Sequence, residues 1–178
     1  MALPEPARRA PQPDRLDLIG DAWRRERPDL DVSPQQVVGR LHRVAHHLTD
    51  ELVAVYAQHG LTEGEFDVLA TLRRAGPPYE RTPGDLAAHT LVTSGGMTKR
   101  IDRLERAGLV SRRASETDAR SRVVALTQRG REVIDAAFTA HMANERRLLD
   151  ALDPADAAAL ERILRTWLGA LEEPPTTA

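Results

Sequence analysis

Residues 92–110 read VTSGGMTKRIDRLERAGLV, and this stretch decides the fold. Met97, Ile101 and Leu104 recur at the spacing of one helical face, so the pattern predicts a helix over about 94–107 with one apolar side. The polar side of this helix carries several basic residues. A helix that buries one face and presents cations on the other is typical of an element that reads the DNA major groove.

The segments on either side complete the pattern. Upstream, residues 82–85 combine a capping threonine with a proline in the first turn, which predicts the start of a short helix. Downstream, residues 109–113 and 122–126 are predicted strands, and the polar segment 114–121 is predicted to form the tip of a hairpin. Two helices joined by a turn and followed by a hairpin form a winged helix-turn-helix.

The rest of the chain has helical periodicity, so the predicted fold class is mainly α with a small β-hairpin wing. Proline-rich composition predicts disordered tails at 1–14 and 173–178. Between these tails, the predicted organisation is N-terminal helices at 15–60, the winged helix-turn-helix at 61–127 and C-terminal helices at 128–172.

Composition excludes several classes of protein. With 178 residues, 41% of them hydrophobic, the chain is long and apolar enough for one core, and it has no cysteine for disulfides, thiol chemistry or metal binding. It also lacks a glycine-rich phosphate loop, a nucleophile elbow and a paired-carboxylate motif. We therefore expect that the protein is not an enzyme and binds no cofactor. No apolar run reaches the ~18 residues of a membrane helix, so we expect a cytoplasmic protein without a membrane partner.

The charge of the chain is unevenly distributed. The formal net charge is −2 at pH 7. Residues 73–122 hold eleven basic and six acidic residues, a net charge of +5, and the remainder therefore carries −7. Because the cations are concentrated around the predicted helix-turn-helix and hairpin, the distribution favours double-stranded DNA as a partner.

Individual DNA-contacting residues follow from position. Small residues at the start of the predicted reading helix let its N-terminus approach a phosphate closely. Arg120 at the hairpin tip can reach the minor groove, and the nearby Asp118 can hold it in register. The candidate set is Ser94, Gly95, Thr98, Lys99, Arg103, Arg106, Arg112, Arg120 and Arg122.

Three motifs together resemble the MarR family of bacterial transcriptional regulators: the segment 86–110, the wing sequence Asp118-Ala119-Arg120-Ser121 and the following Leu126-Thr127. The resemblance covers about residues 33–171. It implies a homodimer in which the N- and C-terminal helices interleave, with dimerisation helices at both ends of the chain. It also implies a repressor that binds a pseudo-palindromic operator and is released by a small ligand.

The N-terminal half is similar to a narrower group, the urate-responsive branch of that family. The similarity lies in Trp23, in the segment 26–31 and in the segment 65–76. The branch has an extra N-terminal helix bearing a tryptophan, and the resemblance implies an effector pocket made by Trp23, Asp67 and Arg100. The branch also uses an asparagine shortly after that aspartate, and none follows here, so the expected effector is a small anion that need not be urate.

Two alternative functions remain open at this stage. His42 and His46 stand four residues apart on a predicted helix and could bind zinc, which would make the protein a metal-responsive regulator. The winged helix could also serve only as a protein-interaction module. Salt-sensitive operator binding separates the second alternative from a DNA-binding regulator, because phosphate contacts release counterions.

Overall fold

The computed structural model describes residues 12–90, 96–114 and 122–172. Within these ranges the chain forms seven helices and three short strands. In chain order they are α1 (Arg15–Glu26), α2 (Ser33–Gln58), α3 (Glu63–Arg74), β1 (Glu80–Arg81), α4 (Pro83–His89), α5 (Met97–Arg106), β2 (Val110–Ala114), β3 (Arg122–Leu126), α6 (Gln128–Leu149) and α7 (Pro154–Glu172).

The contacts within the chain divide it into two units, one ending at Asp50 and one beginning at Glu51. In the first unit, Asp14 caps α1 by accepting the backbone N–H of Leu16 at 2.6 Å. Leu16 is buried against Gly39 of α2. Arg40 of α2 forms ion pairs with the cap residue Asp14 and with Asp17 of α1. These ion pairs join the two helices of this unit.

The core of the second unit is built around α3. Leu69 and Leu72 of α3 are fully buried, and they belong to one apolar cluster with side chains of α4, α5, β3 and α6. The apolar stripe predicted for the reading helix is part of this cluster, since Met97, Ile101 and Leu104 are all buried. Burial of one face of α5 therefore fixes which of its residues can face outward.

The small sheet has one strand more than the predicted hairpin. Its order is β1-β3-β2 with antiparallel pairing, and Ala125 of β3 lies opposite Ser111 on one side and Glu80 on the other. β1 is only two residues long, too short to produce an alternating sequence pattern. Of the predicted hairpin tip, 114–121, Ala114 is instead the last residue of β2, and 115–121 lie outside the described residues.

The reading helix begins later than expected. The sequence predicts 94–107, whereas α5 begins at Met97 after Gly96, which has a left-handed backbone with φ of 86°. Residues 91–95, including the predicted start of the helix, lie outside the described part of the chain. In the described ranges no helix is both long and apolar enough to span a membrane.

Candidate nucleic-acid interface and effector site

The outward face of α5 carries exposed polar and basic side chains. Thr98, Lys99 and Arg106 are exposed, opposite the buried stripe. Arg106 donates from Nε to the backbone carbonyl of Asp102 at 3.2 Å, a bond within the helix that leaves the side chain at the surface. The predicted contacts Ser94 and Gly95 lie outside the described residues.

Arg103 is also on this face, but its guanidinium is held by a buried carboxylate. Its Nε lies 3.0 Å from Oε1 of Glu65 on α3, and the Glu65 side chain is only 5% exposed. The other oxygen of Glu65 accepts the backbone N–H of Thr62 at 2.9 Å and its hydroxyl at 2.8 Å. A buried carboxylate needs such donors, so Arg103 and Thr62 together make the burial of Glu65 tolerable.

Arg112 of β2 is held in a similar way by two carboxylates of α5. Its Nη1 lies 2.5 Å from Oε2 of Glu105, its Nη2 pairs with Asp102, and its backbone N–H donates to Oε1 of Glu105 at 3.1 Å. The hydrogen bond to Asp102 is the main cause that raises the pKa of the Arg112 guanidinium. These bonds attach the first strand of the wing to the reading helix.

The remaining wing residues differ in their surroundings. Arg113 of β2 pairs with Glu80 of β1, with Nη2 and Oε2 separated by 2.5 Å. Arg122, the first residue of β3, is exposed. Arg120 and Asp118 at the predicted tip lie outside the described residues.

Two of the three predicted effector residues lie in the second unit, on neighbouring helices. Asp67 is a buried residue of α3, and Arg100 is a half-buried residue of α5. The Arg100 side chain lies across Gly64, one helical turn before Asp67, because a Cβ built on Gly64 would lie 2.9 Å from both Cδ and Cζ of Arg100. Trp23 belongs to the first unit, where its side chain on α1 is about half exposed (48%).

A buried polar cluster between α2, α3 and α6 had no sequence signal. The rings of Tyr56 and Phe66 stack with centroids 4.1 Å apart. The Tyr56 hydroxyl lies 3.3 Å from Nδ1 of His141, whose Nε2 lies 3.2 Å from Glu145. Burial, followed by the negative charges of neighbouring carboxylates including Asp67, raises the pKa of Tyr56 to about 12. Such a cluster depends on contacts between residues 85 positions apart, which periodicity cannot reveal.

The histidines considered for zinc lie at the surface. His42 and His46 are exposed on α2, and Nε2 of His46 lies 3.5 Å from Asp50. Among the residues that the structure describes, no group of three or more potential metal ligands comes together.

Comparison with known proteins identifies the family. A model of the MarR family matches residues 59–121. The HTH-type transcriptional regulator PecS of Dickeya dadantii is 39% identical over 146 residues, which cover 82% of this chain and 88% of PecS. The chain therefore belongs to the MarR family of transcriptional regulators.

Solved structures agree with this assignment. Sco3205, a MarR family regulator of Streptomyces coelicolor solved in complex with DNA, matches in fold with a TM-score of 0.71 and 24% identity, covering 84% of this chain and 94% of Sco3205. Rv2887 of Mycobacterium tuberculosis, solved with p-aminosalicylic acid, matches with a TM-score of 0.56 and 31% identity, covering 71% of this chain and 94% of Rv2887. The predicted mainly helical winged-helix fold and the DNA-binding regulator class are confirmed.

Proposed function

We propose that the protein is a repressor that binds a pseudo-palindromic operator as a homodimer and is released by a small anion. The observation that carries the DNA-binding part is the outward face of α5, where Lys99 and Arg106 are exposed opposite a buried apolar stripe. The chain as a whole has a net charge of −2, but residues 73–122 have a net charge of +5. The phosphates of DNA are therefore attracted to this part of the molecule.

The proposed DNA contacts fall into two groups. Direct contacts are assigned to exposed residues and to those of the predicted set outside the described ranges, namely Ser94, Gly95, Thr98, Lys99, Arg106, Arg120 and Arg122. Arg103 and Arg112 are held by carboxylates, so we assign them first to the orientation of α5 and the wing. Such residues affect DNA binding without adding a phosphate contact of their own.

The homodimer is supported by an apolar surface on α7. None of its residues is buried within the chain, although apolar side chains recur along it at helical spacing. These are Leu160, Ile163, Leu164, Leu168 and Leu171, of which Leu171 is 70% exposed. An apolar stripe of this length on a single chain is typical of an interaction surface, and a second copy is the proposed partner.

The effector part of the proposal rests on Arg100, Asp67 and Trp23. Arg100 is the only cation among them, so an anion would bind at its guanidinium and alter the position of Arg100 relative to α3. Because Arg100 belongs to the reading helix, an anion held between its guanidinium and α3 would displace α5 itself and change the spacing of the two half-site readers. The anion must bind the two states with different affinities, since equal affinity shifts no equilibrium. Rv2887, a relative named as a repressor, was solved with p-aminosalicylic acid, a small carboxylate.

Fluorescence anisotropy with DNA from upstream of the protein's own gene tests the proposal. The affinity should fall steeply with salt, and Lys99→Ala should reduce the log–log slope by about one phosphate contact. Lys99→Arg is the matched control, because it keeps the charge and should keep the slope. Urate and p-aminosalicylate are then added, and Arg100→Ala should remove any release that they cause. Affinity independent of salt would contradict DNA binding, and an unchanged anion response in Arg100→Ala would contradict the effector site.

A further inference from the structure

Gly64 is placed where a side chain would collide with the reading helix. It is buried in the first turn of α3, and a Cβ at this position would lie 2.9 Å from Cδ and from Cζ of Arg100 and closer still to Nε. Real Cβ atoms do not come this near to other heavy atoms, so any other residue would force the arginine to move. The missing side chain of Gly64 thus leaves a space against α3, here called the seat, which the Arg100 side chain occupies.

A second glycine shows that this close approach is particular to Gly64. Gly84 occupies the same place in α4, the second helical residue after a capping threonine. A Cβ on Gly84 would meet only the hydroxyl oxygen of Thr82, at 3.7 Å, which is an ordinary contact. Both glycines stand two residues after an N-cap threonine and one residue before an acidic residue, but only at Gly64 would a Cβ meet a side chain of another helix.

We propose that Gly64 is a positioning residue for Arg100. The seat over Gly64 holds the guanidinium against α3, one turn from Asp67, where the anion binds. This inference rests on the proposed effector function. Residues three apart on a helix share a face, so the seat and the Asp67 carboxylate lie on the same side of α3. A methyl group at position 64 fills the seat and turns the Arg100 side chain away from that face.

The reading helix itself stays in place when the seat is filled. Ile101 and Leu104 anchor α5 in the core, and Arg103 is bonded to Glu65, the residue next to Gly64. Moving one arginine side chain to another rotamer costs less than displacing a helix with buried residues. Gly64→Ala should therefore impair the anion response and leave operator binding in the absence of anion nearly unchanged.

The first arm of the test measures the contact by thermal unfolding in a double-mutant cycle with Arg100→Ala. Gly64→Ala should lower the Tm of the otherwise wild-type protein by about 2–4 °C. In the Arg100→Ala background it should not lower the Tm, because the seat is empty and alanine is the better helix former. Gly84→Ala is the control and should lower the Tm in neither background. An equal decrease in both backgrounds, or no decrease in either, overturns the contact.

The second arm measures release of operator DNA by urate and by p-aminosalicylate. Gly64→Ala, like Arg100→Ala, should raise the anion concentration for half release by about tenfold or more, with operator affinity before anion addition within about threefold of wild type. Gly84→Ala should respond as wild type does. A normal anion response in Gly64→Ala overturns the positioning role. If neither anion releases wild-type protein, the proposed effector function and this role fail together, whereas the thermal cycle still decides whether Arg100 is seated on Gly64.

Discussion

Arg103 of the reading helix lies 3.0 Å from Glu65, a carboxylate of α3 that is almost completely buried. The pair is asymmetric, because the Arg103 side chain is 58% exposed and the Glu65 side chain is 5% exposed. Ion pairs between two exposed groups stabilise proteins little, but removing the arginine partner of a buried carboxylate takes away a charged donor that water cannot readily replace. The pair therefore ties the orientation of α5 to the helix that also carries Asp67.

Arg103→Ala should destabilise the protein by about 1–2 kcal/mol, because Glu65 then loses its charged donor and, among the residues that the structure describes, keeps the two donors of Thr62. Arg106→Ala is the matched control. Arg106 is exposed on the same face, and within the part of the chain that the structure describes its side chain bonds to the backbone of its own helix. It should change the free energy of unfolding by less than about 0.5 kcal/mol. Urea unfolding of both variants measures the difference, and equal losses would show that the Glu65 pair adds nothing.

Arg112→Ala and Arg122→Ala should weaken operator binding for different reasons. Loss of Arg112 frees the wing from Asp102 and Glu105, so the affinity should fall while the salt dependence stays the same. Loss of the exposed Arg122 should reduce the slope of log affinity against log salt by about 0.9, the value for one phosphate contact. Anisotropy titrations at four or more salt concentrations measure both slopes. A reduced slope in Arg112→Ala would instead place Arg112 on the DNA.

The Tyr56 phenol should ionise at a higher pH than the phenol of an ordinary tyrosine. Its pKa is raised to about 12 by burial and by nearby carboxylates, so the folded state keeps the phenol neutral above pH 10 while the unfolded chain ionises. The contribution to stability is fully present below about pH 10 and is lost as the pH rises towards 12. Tyr79→Phe leaves Tyr56 as the only tyrosine of the chain, and its ultraviolet titration should give the high value. A midpoint near 10 would mean that the phenol is accessible to solvent.

An aspartate in the apolar stripe of α7 should dissociate the proposed homodimer. Leu164 is one of the exposed apolar residues of this helix, and a charge there would have to be desolvated in an interface. Leu164→Asp should therefore sediment as a monomer at concentrations where the wild type sediments as a dimer. Thr166→Asp, on the same helix outside the stripe, is the control and should remain dimeric. A wild-type protein that is monomeric at all concentrations would contradict the dimer itself.

Local sequence patterns were sufficient for much of the fold. The spacing of Met97, Ile101 and Leu104 predicted both the reading helix and its buried side, because helical periodicity is visible within a single segment. The two strands of the wing followed from a change of period. The two-residue strand β1 was missed, since a segment of that length has no period.

The partners of the basic residues could not be predicted in the same way. A helical wheel places Arg103 on the polar face but does not show that Glu65 lies opposite it. The structure shows that Glu65 both bonds to the N-cap residue Thr62 of its own helix and contacts Arg103 of the second helix. The space that Gly64 leaves for Arg100 likewise exists only once α3 and α5 are packed together.

Lys99 is the only lysine of the chain. Modification of its side-chain amine can therefore test directly the central claim that α5 contacts operator DNA. It is exposed on α5 in the free protein, so an amine-reactive acylating reagent should modify it readily. Mass spectrometry of peptides containing Lys99 then measures the rate of modification with and without DNA from upstream of the protein's own gene. The account predicts strong protection of Lys99 at saturating DNA and recovery of reactivity when the salt concentration is raised. Equal reactivity of Lys99 in the free and DNA-saturated protein would contradict the assignment of α5 as the helix that reads the operator.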